Sequence, residues 1–368
     1  MKEKKKIWSI YTRIFHIMLI TSVVTAYLLI EKENQLTSHV LAGYLVALLI
    51  SYRIIWGFLS VKCSQHQDLL RKIPDVPRYF LNYFNKERGE YMGHNPASAL
   101  YVLLIMNLLI LVTVSGSLLY GIQENSGIFA SLNKNYSDWM LFTESFHKIT
   151  TTVLLIFIIS HITGVILNLI FNGSDVILGM ATGKRRGTDF DVILLPIQHL
   201  FGVVWIVSAL SLAAYFYENP DNILTEDKNE RIDFRSESYE TSSSCGSCHL
   251  VYPAYLLPEK SWSKMMDNLE HHFGKDASLP EEETQIVREY LMNNAAEHST
   301  KEAALKILDR MKDNVPLAIT HTNYWVERHK DITKEQFAAD YGIKSDCRTC
   351  HKTIRDGLIQ DTEIKFKY

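Results

Sequence analysis

The chain has 368 residues, room for about two domains on the usual size prior. Its charge is divided unevenly, with 18 Lys or Arg against 13 Asp or Glu from Met1 to Tyr217 and 20 against 28 from Glu218 to Tyr368. Nothing in this balance favours a nucleic-acid partner, and no phosphate-binding glycine loop, flavin fingerprint or nucleophile triad is present.

Five apolar stretches occupy the first part: Ile7 to Ile30, His39 to Leu59, Ala99 to Tyr120, Phe146 to Phe171 and Ile193 to Tyr217. Each is near the roughly 20 residues that a helix rising about 1.5 Å per residue needs to cross a hydrocarbon core about 30 Å thick. Lipid offers the backbone no hydrogen-bond partner, so these spans must be helical. The expected fold is all-α: a transmembrane bundle of four helices plus a fifth over 1–217, a linker over 218–244 and a mostly helical domain over 245–368. The basic run opening at Met1 precedes an apolar stretch that is long and has no clear small-residue cleavage site, so it is expected to stay as an anchor.

With the N-terminus cytoplasmic, the inside segments carry Lys2, Lys4, Lys5, Lys6, Lys62, Arg71, Lys72, Arg78, Lys86, Arg88, Lys184, Arg185 and Arg186. The outside loops carry only Lys32 and Lys134. This positive-inside bias orients the bundle in a bacterial inner membrane and puts everything after Tyr217 in the periplasm.

Ionisable residues inside membrane helices are costly and mark function by default. His147 and His161 are 14 residues apart, about 21 Å and nearly four whole turns, so they share one face at two depths. Run through the topology, His16 matches the depth of His161 and His39 that of His147. Two bis-histidine b haems stacked across the bilayer are the simplest arrangement these four residues allow, with neutral imidazoles on each iron. Gly43 and Gly164 lie about one turn beyond His39 and His161 and leave room for a flat ring. Arg13 and Arg53 share the histidine faces near the inner side and are expected to pair with propionates of the inner haem, against snorkelling as the alternative. His94 and His199 are weak candidates for a quinone site.

Over about Ile7 to Arg186 the chain resembles the bacterial cytochrome b561 family, which includes the membrane cytochromes of nickel-iron hydrogenases. The matching residues are Arg13-Ile14-Phe15-His16, His39 to Gly43-Tyr44, Arg53 with Trp56-Gly57, Tyr91-Met92-Gly93-His94-Asn95-Pro96, the His147 to His161 spacing and Thr182-Gly183-Lys184-Arg185-Arg186. The resemblance implies two b haems in a four-helix bundle and exchange of electrons with quinones or a partner redox subunit. The fifth helix departs from that core.

Asn219 to Ser244 is polar and reads as a tether. Beyond it, Cys245-Gly246-Ser247-Cys248-His249 and Cys347-Arg348-Thr349-Cys350-His351 carry the attachment signature of c-type haem. Two thiols spaced by two residues reach two vinyl groups of one porphyrin, and the adjacent His supplies an axial nitrogen. A zinc site would not need a His directly after each pair. Cys63 reads as an ordinary reduced thiol.

The sixth ligands are sought among His271, His272, His298, His321 and His329. Trp262, Met265, Met266 and Leu269 recur at helical spacing, and His272 falls near that face while His271 points away. His272 is preferred for one site and His329, ahead of His321, for the other. From Ser244 to Ile359 this part resembles the periplasmic dihaem cytochrome c family. The likeness runs through the two haem motifs, Tyr252-Pro253, Leu257-Pro258, Trp262, His272-Phe273-Gly274-Lys275-Asp276-Ala277-Ser278, Tyr290-Leu291, Trp325 with His329, and Gly357. It implies bis-histidine ligation of both haems, carried onto His272 and His329. The stretch Leu279 to Asp313 is expected to be helical with a solvated charged face.

The expectation is a membrane electron-transfer protein with two non-covalent b haems and two covalent c haems, working between the quinone/quinol pool and a periplasmic redox protein. Enzyme activity as a quinol:cytochrome c-type oxidoreductase stays open beside a pure carrier. The alternative is an anchor subunit of a larger hydrogenase or reductase complex.

Overall fold

The structure, a computed structural model, describes residues 4–30, 35–61, 63–84, 91, 93–172, 176–186, 191–311, 315–333 and 347–359. Lys2, Lys32, Lys62, Lys86, Arg88 and Met92, which entered the orientation and motif arguments, lie outside these residues. The chain divides into two compact units. One comprises Met1–Glu31, Ser38–Ser117 and Phe142–Asn222, and the other Lys32–Thr37, Leu118–Leu141 and Ile223–Tyr368.

The first unit is built on α1 (Ile10–Ile30), α2 (Leu36–Leu59), α3 (Pro96–Glu124), α4 (Met140–Asn172) and α5 (Pro196–Glu218). Five helices of the described chain are long and apolar enough to cross a membrane. Helix starts are encoded locally. Pro96 and Pro196 open α3 and α5, where a missing N–H costs nothing. The Asn95 side chain accepts from the Ser98 amide at 2.7 Å, and the Gln198 side chain accepts from the Leu195 amide at 2.8 Å.

The fifth helix docks through aromatic packing. Trp56 is fully buried and lies nearly parallel to Tyr52 (5.7 Å, 20°) and to Phe201 of α5 (6.2 Å, 6°). Its indole donates to Thr12 Oγ1 of α1 at 3.1 Å. Val46, Ile50, Leu109 and Leu154 form a second cluster that joins α2, α3 and α4. At one end of the bundle β1 (Lys4–Lys6) pairs antiparallel with β2 (Lys184–Arg186), so two basic segments far apart in sequence share that end.

The second unit contains α6 (Tyr239–Ser244), α7 (Glu259–Met266), α8 (Glu281–Asn293), α9 (Glu302–Asp309) and α10 (Asn323–Arg328). One core gathers Leu257, Trp262, Met266, Val287 and Leu291; a second gathers Tyr255, Leu256, Ala303 and Ala304. The charged stretch after Leu279 thus has one solvated face and one packed face, as amphipathic helices do.

Two expectations are corrected here. Residues 219–244 are no free tether: Asp227 forms an antiparallel bridge with Ser126, and two helical turns follow before Cys245. Nor does one helix run from Trp262 to His272. It ends at Met266, a short turn spans Leu269–His271, and Phe273 and Gly274 adopt positive φ of 49° and 83°. The helical-face argument for His272 therefore fails, because the helix ends before reaching it.

Candidate haem sites

His39 sits in the first turn of α2 and His147 in α4, with ring centres 6.5 Å apart and planes at 86°. His39 Nδ1 donates to the Ala26 carbonyl at 2.8 Å, and His147 Nδ1 meets Ser115 Oγ at 3.0 Å. With Nδ1 engaged, Nε2 of each ring is left for a metal. Gly116 makes room for this arrangement, since a Cβ there would lie 2.9 Å from His147 Cε1. Sequence reasoning missed Ser115 and Gly116, because nothing in α3 alone says which helix its small residues will face.

His16 of α1 and His161 of α4 are both partly buried. A Cβ built on Gly43 or Gly164 would meet nothing within 4 Å, so both glycines border open space beside the histidines. Arg53 is buried, and its Nη1 has no hydrogen-bond partner among the described residues. Arg13 is engaged differently: it donates to the Met180 carbonyl at 3.1 Å and to that of Ala181, tying α1 to the last turn of the short helix Val176–Thr182.

His94 packs edge-on against Trp8 at 4.9 Å, and burial, followed by the charges of Arg53 and Lys72, pushes it down to about 3. His199 is exposed on α5 and bonds Tyr11 at 3.1 Å. Cys63 is buried and forms no disulfide among the described residues.

In the second unit, His249 and His272 stack with centres 6.1 Å apart and planes at 16°. His329 and His351 have centres 6.2 Å apart at 64°. His271 turns outward and meets Asn268 Oδ1 at 3.2 Å; His321 and His298 are exposed, the latter bonded to Glu259 at 2.6 Å. Again Nδ1 is engaged: His249 donates to the Leu250 carbonyl at 2.7 Å and His329 to that of Trp325 at 2.8 Å. The Trp325 ring stacks on His329 at 4.3 Å and Tyr252 on His249 at 5.4 Å. Burial, then the charge of His249, holds His272 below its ordinary range, and burial lowers His329 as well. Neutral imidazole is the form that binds a metal. Burial pushes the Cys245 thiol up.

Two imidazoles on opposite sides of one metal, each bonded at about 2 Å, have ring centres roughly 6 Å apart. Three of the four histidine pairs have that separation, and four of their rings have Nδ1 engaged. The residues present therefore fit haem.

This is a membrane helical bundle joined to a second unit of paired Cys-x-x-Cys-His segments. Residues 7–183 match the prokaryotic cytochrome b561 family and residues 241–358 the dihaem cytochrome c family. The chain thus carries a cytochrome b561 region and a dihaem cytochrome c region as a fusion, and is a haem-based electron-transfer protein.

Among solved structures it is similar to a diheme cytochrome c from Rhodobacter sphaeroides (33% identity, 33% of this chain and 96% of that chain, TM-score 0.30). It is also similar to a diheme cytochrome type c from Shewanella baltica OS155 (29% identity, 36% and 93%, TM-score 0.28). No match to a curated protein was found.

Proposed function

We propose that the chain carries electrons across a bacterial inner membrane between the quinone/quinol pool and a periplasmic redox protein. In this reading His16 with His161, and His39 with His147, each hold one non-covalent b haem. Cys245 and Cys248, and Cys347 and Cys350, would attach two c haems covalently, with His249 and His272, and His351 and His329, holding the irons. Bound in this way, each haem supplies one-electron redox chemistry with no open coordination site for a substrate.

The protein's part is positioning. Ser115, the Ala26 carbonyl, the Leu250 carbonyl and the Trp325 carbonyl fix the ligand tautomers and ring planes. The Arg53 guanidinium is buried with its Nη1 unpartnered among the described residues, and a propionate would compensate its charge. Arg13 spends two donor groups on helix carbonyls and has only the remainder for a propionate. The positive-inside count supports a cytoplasmic N-terminus and a periplasmic second unit.

The observation that carries this reading is the repeated geometry of facing imidazoles about 6 Å apart with Nδ1 held from behind. Purification of the full chain from a host that matures c-type haem, with pyridine-haemochrome analysis, tests it. Two b and two c haems per chain are expected, all reduced by quinol; a total of two would reject the membrane half. Co-purification of a catalytic subunit that is needed for reduction would replace quinol-to-periplasm transfer with the anchor-subunit reading.

A further inference from the structure

At the end of the bundle where β1 pairs with β2, the segment Gly93–Asn95 holds the surrounding pieces together. His94 packs edge-on against Trp8, two residues after β1, and Arg185 of β2 donates to the Gly93 carbonyl at 3.3 Å. Lys72 Nζ donates to the His94 carbonyl at 2.6 Å, and Asn95 Nδ2 donates at 3.1 Å to Tyr79 Oη of the helix Val76–Phe84. The short helix Val176–Thr182 leans on β2 as well, since a Cβ on Gly179 would lie 2.9 Å from Arg185 Cγ. All of these residues belong to the first unit. The ribbon and the two short helices therefore form one platform.

The ribbon sets cation against cation. Its register puts Lys4 opposite Arg186, Lys5 opposite Arg185 and Lys6 opposite Lys184, and like charges directly opposite one another destabilise a strand pair. Lys6 and Lys184 are exposed, as are Arg71 and Arg78, the sequence neighbours of Lys72 and Tyr79. No ion pair among the described residues neutralises any of these four. Of the described acids here, Asp68 accepts from the Cys63 amide at 2.8 Å and Asp191 from the Lys6 amide at 2.9 Å, which leaves Asp75. The cations outnumber the carboxylates open to them.

Beside these cations the platform exposes apolar side chains. Leu81 is 66% and Phe80 45% exposed on one short helix, and Ile177 is 47% and Leu178 44% exposed on the other. At about 100° per residue, Val76, Phe80, Pro77 and Leu81 fall on one half of the helix Val76–Phe84, and Arg78 and Asn82 fall on the other. A helix with one apolar side and one cationic side suits the plane of a membrane interface, its apolar face among the upper acyl chains.

We propose that this platform is a binding site for anionic phospholipid: Lys6 and Lys184, with Arg71 and Arg78, take the phosphate headgroup, and Phe80, Leu81, Ile177 and Leu178 lie against its acyl chains. A soluble anion would match the cations and leave the apolar side chains in water. A neutral lipid would cover the apolar side chains and leave the facing cations unmatched. An anionic lipid answers both. The site needs only that the bundle crosses a membrane, and it stands apart from the number of haems and from the electron partners. Each Lys or Arg near an anionic headgroup layer strengthens binding about fivefold.

The full haem-loaded chain in neutral detergent is titrated with dioctanoyl phosphatidylglycerol, dioctanoyl phosphatidylcholine and glycerol phosphate, and bound ligand is followed by native mass spectrometry. Phosphatidylglycerol binds about tenfold or more tighter than phosphatidylcholine, and glycerol phosphate, which has the charge without the chains, binds far more weakly than either. Lys6→Gln/Lys184→Gln lowers the affinity for phosphatidylglycerol about tenfold or more and leaves that for phosphatidylcholine as it was, whereas Lys6→Arg/Lys184→Arg keeps the native preference. Leu81→Gln/Ile177→Gln weakens both lipids. All four of these side chains are exposed, and haem bands equal to those of the native chain confirm that each variant is folded.

Equal affinity for the two lipids, or a preference for phosphatidylglycerol that survives the Gln pair on the ribbon, overturns the site. Glycerol phosphate bound as tightly as phosphatidylglycerol overturns the lipid in favour of a soluble phosphate. Undiminished lipid binding by Leu81→Gln/Ile177→Gln overturns the role of the apolar side chains.

Discussion

The His39 and His147 rings face each other across 6.5 Å at nearly a right angle, each held from behind at Nδ1. One hydrogen bond is to a carbonyl in α1 and the other to a hydroxyl in α3, so four helices take part in orienting two imidazoles.

Ser115→Ala removes the partner of His147 Nδ1. The ring then loses both its preferred tautomer and its orientation, and the outer b site should bind its haem about 10–100-fold more weakly. Haem titration of the purified chain measures this; an affinity equal to the native one would mean that Ser115 does not orient the ligand.

Gly116→Ala places a methyl group where His147 Cε1 lies at 2.9 Å. The imidazole must swing away, and half the b-type haem should be lost while the c-type content stays whole. Pyridine haemochrome after purification gives the ratio directly, and full b-type retention would show that the ring can yield at no expense to binding.

His161→Ala should remove the inner b haem and leave the outer one and both covalent haems. Redox titration resolves which b component disappears; disappearance of the outer component would reverse the proposed pairing with His16.

At the first c-type site, His272→Ala should convert a six-coordinate low-spin iron to a high-spin form, whereas His271→Ala should leave the spectrum as it is. Their surroundings set the difference, since His272 stacks 6.1 Å from His249 and His271 points to Asn268. An EPR spectrum with the two outcomes exchanged would transfer the ligand role to His271.

Trp56→Ala opens a cavity between α1, α2 and α5 and leaves Thr12 Oγ1 without its indole donor. A loss of about 3–5 kcal/mol is expected from truncating so buried an aromatic, seen as a lower melting temperature in detergent. A melting temperature unchanged from native would mean that α5 is held by other contacts.

Local information carried much of this structure. The Cys-x-x-Cys-His segments were legible because their thiols and histidine are neighbours in sequence, so the motif needs no fold to be recognised. The five membrane helices were legible for a related reason: apolar length is a property of one segment, and α2, expected from His39, begins only three residues earlier at Leu36. His147 and His161 could be assigned a common face because a helix has a fixed period.

What spacing could not supply was anything set by contact between segments. The helix carrying Trp262 stops at Met266, so period counting reached His272 along a path the backbone does not take. The polar stretch after Tyr217 looked like a tether because most of its residues are polar or charged; its order comes from backbone pairing with Asn125 to Gly127, which leaves no mark in composition. Arg13 and Arg53 looked equivalent by helical position, yet one caps a short helix and the other lies buried with an open nitrogen.

By itself, the order of residues determined the local features, namely two Cys-x-x-Cys-His segments, five described helices apolar enough to cross a membrane and the spacing of His147 and His161, since each is written within one helix or one pentapeptide. Only the tertiary structure decided which imidazoles face one another, which small residues make room for them and which basic segments pair at the end of the bundle. Those outcomes depend on packing between segments far apart in the chain, where the energy of a contact belongs to neither segment alone.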